Sequence, residues 1–155
     1  MPTEIERKYL IANDNWKTYA DEGKHMIQGY MASNEHSSIR IRVNNDNANL
    51  NIKSNTIGIQ RSEYDYPIPL DEAMELLNTL CDQPLIEKTR YHVNHEGHLW
   101  EIDVFAGDNE GLVVAEIELA SADDEFILPD WIGQEVSDDP RYYNVCLAKH
   151  PYKDW

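Results

Sequence analysis

The stretch Glu4-Ile5-Glu6-Arg7-Lys8 places charged side chains at every second position. Side chains alternate between the two faces of a β-strand, so Glu4, Glu6 and Lys8 would point to the same side of a sheet. The same alternation returns along the chain in Arg40 and Arg42, in Arg61, Glu63 and Asp65, in Lys88 and Arg90, in Glu101 and Asp103, and in Glu116 and Glu118. Several strands therefore carry a charged face.

The opposite faces of these strands are apolar, which leaves two arrangements open. In the conventional one, the charged faces lie in solvent and form ion pairs between neighbouring strands. In the other, the charged faces line the interior of a barrel, and the apolar faces are covered by helices or by a partner subunit. At least six strands share the pattern, and they favour Arg, Glu and Asp over the Lys, Thr and Ser of a solvated face. The sequence therefore favours a charged interior. The apolar set is Ile5, Ile39, Ile41, Val43, Leu50, Ile52, Ile102, Val104, Ile117 and Leu119.

Composition limits the class of protein. A chain of 155 residues with 41% hydrophobic content suits one domain, which we expect to span residues 1–155. The net charge of −16 disfavours a nucleic-acid partner, because such binding relies on a basic surface. No apolar run approaches the length of a membrane span, and the chain start has no basic-then-apolar leader. With only the distant pair Cys81 and Cys146, we expect a reduced, cytoplasmic protein.

Period-two patterning predicts eight mostly antiparallel strands, near residues 3–11, 26–32, 37–44, 48–54, 59–69, 85–95, 98–106 and 112–121. Helical periodicity is weak around 14–22 and clear over 71–80, where Asp71 is the expected N-cap, and it returns over 139–149. The expected fold is an α+β protein dominated by β-structure. It consists of an eight-stranded antiparallel β-barrel with a few peripheral helices, including a C-terminal one.

Convergent Arg and Lys side chains indicate a polyphosphate site, because each phosphoryl oxygen accepts charge-assisted hydrogen bonds. Carboxylates in the same cavity do not bind phosphate directly, and their natural role is to hold Mg²⁺ or Mn²⁺. The first candidates for metal ligands are Glu4, Glu6, Glu116 and Glu118, followed by Glu101, Asp103 and Glu63. A small polyanionic substrate is therefore expected.

Glu4-Ile5-Glu6-Arg7-Lys8 is similar to the ExExK motif of the CYTH superfamily, the triphosphate tunnel metalloenzymes, and the resemblance to this family extends over nearly the whole chain. The other segments that resemble family motifs, in the family's order, are Ser38-Ile39-Arg40-Ile41-Arg42, Leu50-Asn51-Ile52-Lys53-Ser54, Arg61-Ser62-Glu63-Tyr64-Asp65, Glu87-Lys88-Thr89-Arg90-Tyr91, Glu101-Ile102-Asp103-Val104-Phe105-Ala106-Gly107, Ala115-Glu116-Ile117-Glu118 and Glu135-Val136-Ser137-Asp138-Asp139-Pro140-Arg141-Tyr142.

The resemblance implies a tunnel fold and assigns roles to individual positions. It implies that the triphosphate is bound by Lys8, Arg40, Arg42, Lys53, Lys88 and Arg90, assisted by Arg61, and that metal ions are bound by Glu4, Glu6, Glu116 and Glu118, with Asp103 as a contributor. The family pattern on the fifth strand ends here in Asp65, whose shorter side chain leaves it out of the expected site.

Several activities occur in this family. Ile27-Gln28-Gly29-Tyr30-Met31 resembles a segment of the short bacterial members, which are typically inorganic triphosphatases, and the histidine-phenylalanine element of cyclase members is absent at this strand. Hydrolysis of tripolyphosphate to pyrophosphate and phosphate is therefore the leading interpretation. The alternatives are adenylate cyclisation, hydrolysis of nucleoside or thiamine triphosphate, and a polyphosphate-binding module without catalysis.

The mechanism that we expect is in-line attack of a metal-activated water on a terminal phosphorus. Lys8 and Lys88 stand among other cations that could lower their pKa, so Lys88 is a candidate base, and Tyr30 is a second one. The C-terminal helix is expected either to bring Arg141 or Tyr142 to the site or to act as a plain cap. A homodimer is expected if the short helices leave the apolar strand faces uncovered.

Overall fold

The computed structural model describes residues 2–155 and contains nine β-strands in this range. They are β1 (Thr3–Ile11), β2 (Lys24–Ser33), β3 (Ser37–Asn44), β4 (Asn47–Ser54), β5 (Gln60–Ile68), β6 (Ile86–His95), β7 (His98–Phe105), β8 (Val113–Glu118) and β9 (Ile132–Glu135). The α-helices are α1 (Leu70–Thr79) and α2 (Asn144–Leu147). Short 3₁₀ helices cover Asp14–Tyr19, Gly107–Asn109, Pro140–Tyr142 and Tyr152–Asp154.

Eight of the strands form a closed antiparallel barrel in the order β5-β4-β3-β2-β6-β7-β8-β1, because β1 also pairs with β5. Closure is visible in the register, where Glu4 is opposite Arg61 on β5 and Glu6 is opposite Glu118 on β8. The predicted eight-stranded barrel is confirmed. The ninth strand was missed: β9 has four residues and pairs with the second half of β1, where Tyr9 is opposite Glu135.

Tight turns connect β3 to β4 and β6 to β7. Asn45 has a φ of 53° between β3 and β4, and Glu96 and Gly97 have φ values of 49° and 81° between β6 and β7. These left-handed conformations favour Asn and Gly and suit two-residue hairpin turns. The turns keep the strands in a register that aligns their charged faces.

The apolar outer faces are covered by the chain itself in three clusters. Helix α1 packs Ala73 and Leu77 against Ile41 and Val43. A second cluster groups Trp100, which the strand pattern places outside the tunnel, with Trp16 from the connection between β1 and β2 and Trp131 from the segment before β9. The third joins the C-terminal segment to β8 and contains Leu112, Val114, Tyr142 and Leu147. Burial of such faces is the main driving force for closing the barrel around a polar interior.

The predicted helices differ in detail from the observed ones. The segment 14–22 forms a 3₁₀ helix over Asp14–Tyr19, and 139–149 is split into Pro140–Tyr142 and α2. Helix α1 begins at Leu70 with Pro69 at the N-cap, so Asp71 is not the cap but lies in the first turn, where an acidic side chain is favourable. Among residues 2–155, no helix is both long and apolar enough to cross a membrane.

Candidate active site

The barrel encloses a tunnel of about 230 Å³ whose walls are mostly charged. Strand alternation turns the predicted charged faces inward, as the sequence pattern favoured. The predicted site residues that line the tunnel are Glu4, Glu6, Lys8, Tyr30, Arg40, Arg42, Lys53, Arg61, Glu63, Lys88, Arg90, Glu101, Glu116 and Glu118. A second cavity of about 330 Å³ shares Arg40, Arg42 and Arg90 with it.

Asp103 lies behind the tunnel wall rather than on it, and its side chain is 1% exposed. Its Oδ2 accepts a hydrogen bond from Lys88 Nζ at 2.8 Å, and its Oδ1 accepts one from Arg90 Nε at 2.7 Å. Burial opposes its ionisation, but Arg90 and Lys88 outweigh burial and hold its pKa well below the usual range. Because both carboxylate oxygens are engaged, Asp103 fixes the positions of two tunnel cations.

The Lys88 ammonium is fully buried, and burial lowers its pKa to about 7, with Arg90 and Arg42 acting in the same direction. Asp103 opposes this shift, but one carboxylate shared by two cations does not compensate both. Lys88 therefore lies next to an ionised carboxylate and can still lose its proton near neutral pH.

Lys8 and Tyr30 differ from Lys88 in their readiness to accept a proton. Burial disfavours the charge of Lys8, but Glu116 at 3.3 Å and Glu6 outweigh it and raise its pKa, so the expectation of a lowered value was wrong. Burial also raises the pKa of Tyr30, although Arg40 lies near. Neither group is predisposed to act as a base at neutral pH.

The arginines of β3 and the lysine of β4 are crowded by like charges. Burial, together with Arg40 and Arg90, lowers the pKa of Arg42 to about 9. Burial and Arg40 also lower the pKa of Lys53, although Lys53 Nζ is 3.0 Å from Glu4 Oε2. Such mutual repulsion is relieved by a polyanion, so the charge distribution suits an anionic ligand.

Acidic side chains face one another on the opposite side of the tunnel. Glu6 is directly opposite Glu118, and Glu101 is directly opposite Glu116. Burial, Glu6 and Glu101 raise the pKa of Glu118. Cross-strand pairs of like charge are destabilising, and a bound cation would relieve them.

Within residues 2–155, no three side chains of His, Cys, Asp or Glu converge into a preformed metal cage. Mg²⁺ commonly uses only one or two carboxylates and completes its coordination with water and substrate phosphates. The facing carboxylates therefore fit a divalent ion that binds together with a polyphosphate.

The family model for the CYTH domain matches residues 2–143. The chain belongs to the CYTH family. Membership implies a requirement for a divalent metal ion.

An inorganic triphosphatase of Acetivibrio thermocellus is 48% identical over 155 residues, covering 100% of this chain and 99% of that protein. An inorganic triphosphatase of Nitrosomonas europaea is 37% identical over 153 residues, covering 94% and 97%. A crystal structure of an inorganic triphosphatase superposes with a TM-score of 0.66 at 33% identity, covering 96% and 95%.

The C-terminal segment enters the CYTH tunnel, but not with the expected residues. Tyr143, Asn144 and Val145 line the cavity. Arg141 points away and pairs with Asp139 at 2.8 Å, and the ring of Tyr142 lies in an apolar cluster. Of the two residues expected near the site, Arg141 does not approach it. Only the backbone carbonyl of Tyr142 takes part, accepting a hydrogen bond from Lys8 Nζ at 3.2 Å.

Tyr143 is a platform beneath two cations of the CYTH tunnel. The Arg61 guanidinium lies 5.0 Å from the ring centroid and Lys8 Nζ lies 5.5 Å from it, distances typical of cation–π contacts. The hydroxyl of Tyr143 donates to the Ser137 carbonyl at 2.5 Å and accepts from the Gly58 amide at 3.1 Å. The ring is therefore held in place from outside the tunnel.

Other lining residues were missed, some of them despite a readable signal. Ser38 alternates with Arg40, and Asn51 alternates with Lys53, so the same period-two rule places them inside. Asp65, which the sequence analysis leaves out of the expected site, also lines the tunnel, where its carboxylate accepts a hydrogen bond from Asn51 Nδ2 at 3.4 Å. No sequence pattern indicated Tyr143 or Asn144, because they reach the tunnel only through the tertiary packing of the C-terminal segment.

Proposed function

We propose that this CYTH protein is an inorganic triphosphatase that hydrolyses tripolyphosphate to pyrophosphate and phosphate with Mg²⁺ or Mn²⁺. The observation that carries the proposal is the convergence of seven cations on one closed tunnel that also holds facing carboxylates. These cations are Lys8, Arg40, Arg42, Lys53, Arg61, Lys88 and Arg90. The name inorganic triphosphatase of two relatives that cover nearly the whole chain supports the same function.

The cations would bind the phosphoryl oxygens of the substrate. Arg40 and Arg61 each have a buried Nε without a hydrogen-bond partner in the described chain, although buried donors are normally paired. An anion in the tunnel would supply acceptors, and Arg offers a fork that suits phosphate. Within residues 2–155, the aromatic rings on the tunnel wall are those of Tyr30, which is buried, and Tyr143, which packs against Arg61, so neither offers an open face to a base. This favours an inorganic triphosphate over a nucleotide.

The carboxylates Glu4, Glu6, Glu116 and Glu118 would hold the divalent ion, which supplies charge neutralisation and lowers the pKa of bound water. Asp103 is better suited to orienting Lys88 and Arg90, because both of its oxygens are engaged by these cations. This division assigns ligand roles to four of the acids that line the tunnel and a supporting role to the one behind its wall.

Lys88 is the proposed proton acceptor for water that attacks a terminal phosphorus in line. Its lowered pKa of about 7 suits a base at neutral to alkaline pH, whereas the raised pKa values of Lys8 and Tyr30 do not. The remaining Arg and Lys side chains would stabilise negative charge that grows on the leaving pyrophosphate.

The proposal also covers the domain organisation, cellular location and oligomeric state of the enzyme. We expect residues 1–155 to act as one domain, because the C-terminal segment completes the tunnel. We expect a cytoplasmic location, since Cys81 and Cys146 are both free thiols. Tyr66 on the outer face of β5 remains 52% exposed beside the exposed Leu70 and Met74 of α1, so part of the apolar exterior is left uncovered and a homodimer is expected there; light scattering after gel filtration would test it.

The test is phosphate release from tripolyphosphate, ATP and thiamine triphosphate with Mg²⁺ or Mn²⁺. We expect tripolyphosphate to be the preferred substrate, and Glu4→Ala and Glu6→Ala to remove most turnover. Tight binding of tripolyphosphate without product would instead indicate a binding module. Cyclic AMP as the main product from ATP would indicate a cyclase.

A further inference from the structure

Asn144, the first residue of α2, makes a pair of hydrogen bonds inside the tunnel that no motif predicts. Its Oδ1 accepts one hydrogen bond from Lys88 Nζ at 3.0 Å and another from Gln28 Nε2 at 3.0 Å. Gln28 and Lys88 are completely or almost completely buried. The C-terminal segment therefore reaches the centre of the cation cluster through one amide oxygen.

Gln28 connects Asn144 to a second cation. Its Oε1 accepts a hydrogen bond from Arg42 Nε at 3.0 Å, while its Nε2 donates to Asn144. The orientations of both amides follow from their neighbours, because Arg42 and Lys88 are donors and each must face an oxygen. The result is a continuous chain of hydrogen bonds from Arg42 through Gln28 and Asn144 to Lys88 and then to Asp103.

This series of hydrogen bonds determines the direction in which the Lys88 amine can interact with a ligand. An ammonium has three N–H groups, and two of those on Lys88 are directed to Asp103 and Asn144. Lys88 is among the residues that line the tunnel, although its side chain is fully buried and its Nζ lies 5.5 Å from the centre of the Phe105 ring, so only its remaining tetrahedral position can face a ligand there. That position is an N–H when the amine is charged and a lone pair when it is neutral. Without Asn144 the amine would keep only one fixed partner and could rotate.

We infer that Asn144 is a positioning residue, which directs Lys88 at the reacting phosphate and, through Gln28, holds the Arg42 guanidinium beside it. This inference rests on the proposed triphosphatase function and deepens it. The C-terminal segment thereby aligns the reacting groups in addition to covering the end of the barrel. A phosphate ligand needs such fixed donors, because small displacements of reacting groups cost large factors in rate.

The competing role for Asn144 is simple attachment of the C-terminal segment to the barrel. Asn109 offers a matched control, because its Oδ1 accepts a hydrogen bond from the Tyr152 amide at 2.8 Å and so also attaches this segment. Asn109 does not line the tunnel. Asn144→Leu and Asn109→Ala therefore both loosen the segment, and only the first removes a partner of Lys88.

The experiment is a double-mutant cycle between Asn144→Leu and Lys88→Ala, with circular dichroism to verify folding. We expect Asn144→Leu to lower kcat/KM for tripolyphosphate about tenfold, the size expected for loss of one hydrogen bond to a charged group. In the Lys88→Ala background the same change should cost clearly less than about tenfold, because the hydrogen bond to Lys88 is already gone and only the link through Gln28 to Arg42 remains to be lost. Asn109→Ala should lower the melting temperature and leave kcat and KM near the wild-type values.

Equal losses in both backgrounds, or a loss in Asn109→Ala as large as in Asn144→Leu, would overturn the inference. The cycle is repeated on the Kd of tripolyphosphate measured by calorimetry in EDTA, so it remains informative if Lys88→Ala has no measurable turnover. Absence of turnover in the wild type would count against the proposed function, while coupling between Asn144 and Lys88 in the Kd would still support the positioning role. No coupling in either measurement would reject that role.

Discussion

Glu6 of β1 and Glu118 of β8 are directly opposite one another on hydrogen-bonded antiparallel strands, and both side chains face the tunnel. Burial and Glu6 together raise the pKa of Glu118, the expected response of a carboxyl group that gains a like-charged neighbour. A pair of this kind lowers the stability of the metal-free protein. The Glu6–Glu118 pair therefore suits a cation-binding site, because locally unfavourable arrangements are retained mainly at functional sites.

Glu118→Gln should stabilise the metal-free protein and impair the metal-bound one. We expect a gain of about 0.5 kcal/mol in urea unfolding with EDTA at neutral pH, because one repulsive cross-strand pair is removed. The gain should shrink in acid. The raised pKa of Glu118 means that the wild-type carboxyl becomes protonated as the pH falls, and the neutral carboxyl no longer repels Glu6. The rise in melting temperature caused by Mg²⁺ with tripolyphosphate should be reduced.

The matched control is Glu87→Gln, which removes an exposed carboxylate that lies 3.5 Å from His25 Nε2. It should alter neither the metal-free stability nor the response to Mg²⁺ appreciably. A loss of metal-free stability in Glu118→Gln would contradict the repulsion that we assign to this pair.

Asp103→Asn should be strongly destabilising. The change leaves Lys88 and Arg90 without their shared counter-charge, and removing one partner from a buried ion pair costs about 3 kcal/mol or more. Because the pKa of Asp103 is lowered by folding, its contribution is complete above its unfolded pKa of about 4 and is lost as the pH falls towards the folded value. The difference between wild type and variant in urea unfolding should therefore narrow in acid.

Asp108→Asn is the control for this prediction, because Asp108 forms an exposed ion pair with Lys153 at 3.0 Å. Exposed pairs contribute little, so the change should stay within about 0.5 kcal/mol. Comparable losses for Asp103→Asn and Asp108→Asn would show that the buried network contributes no more than a surface pair.

The pH dependence of kcat/KM tests Lys88 as the base. Burial lowers its pKa to about 7, so kcat/KM should rise about tenfold per pH unit below this value and level off above it. The comparison requires correction for the ionisation of tripolyphosphate. Lys88→Arg keeps the positive charge but does not release its proton, so the rise should be absent and the rate low. An unchanged rise in Lys88→Arg would assign the titration to another group.

Gly29→Ala should destabilise the barrel for a steric reason. A Cβ at this position would lie 2.7 Å from Leu85 Cδ2 and 2.8 Å from Cys81 Cβ, and such overpacking costs about 1–3 kcal/mol. The Gln28-Gly29-Tyr30 segment thus combines two tunnel-side groups with one residue that must lack a side chain. Urea unfolding measures the loss, and adding Leu85→Ala should cost less in the Gly29→Ala variant than in the wild type. Additive losses would show that Leu85 does not cause the clash.

The charged faces of the barrel could be predicted because they are a local property of extended chain. Once Glu4-Ile5-Glu6-Arg7-Lys8 is a strand, geometry alone separates Glu4, Glu6 and Lys8 from Ile5 and Arg7. The same rule could have placed Asn51 inside the tunnel. Strand β9 escaped prediction because its four residues provide too short a pattern. The extent of the C-terminal helix was overestimated because tertiary packing divides that segment.

The sequence by itself determined which side chains share a face, and therefore the cationic and acidic character of the tunnel. Only the tertiary structure decided which role each charged residue can have. It placed Asp103 behind the wall, where two cations occupy its oxygens, and brought Asn144 from the far end of the chain to Lys88. The reason is physical: alternation is a property of a single strand, whereas distance, burial and pKa depend on which strands and segments become neighbours when the barrel closes.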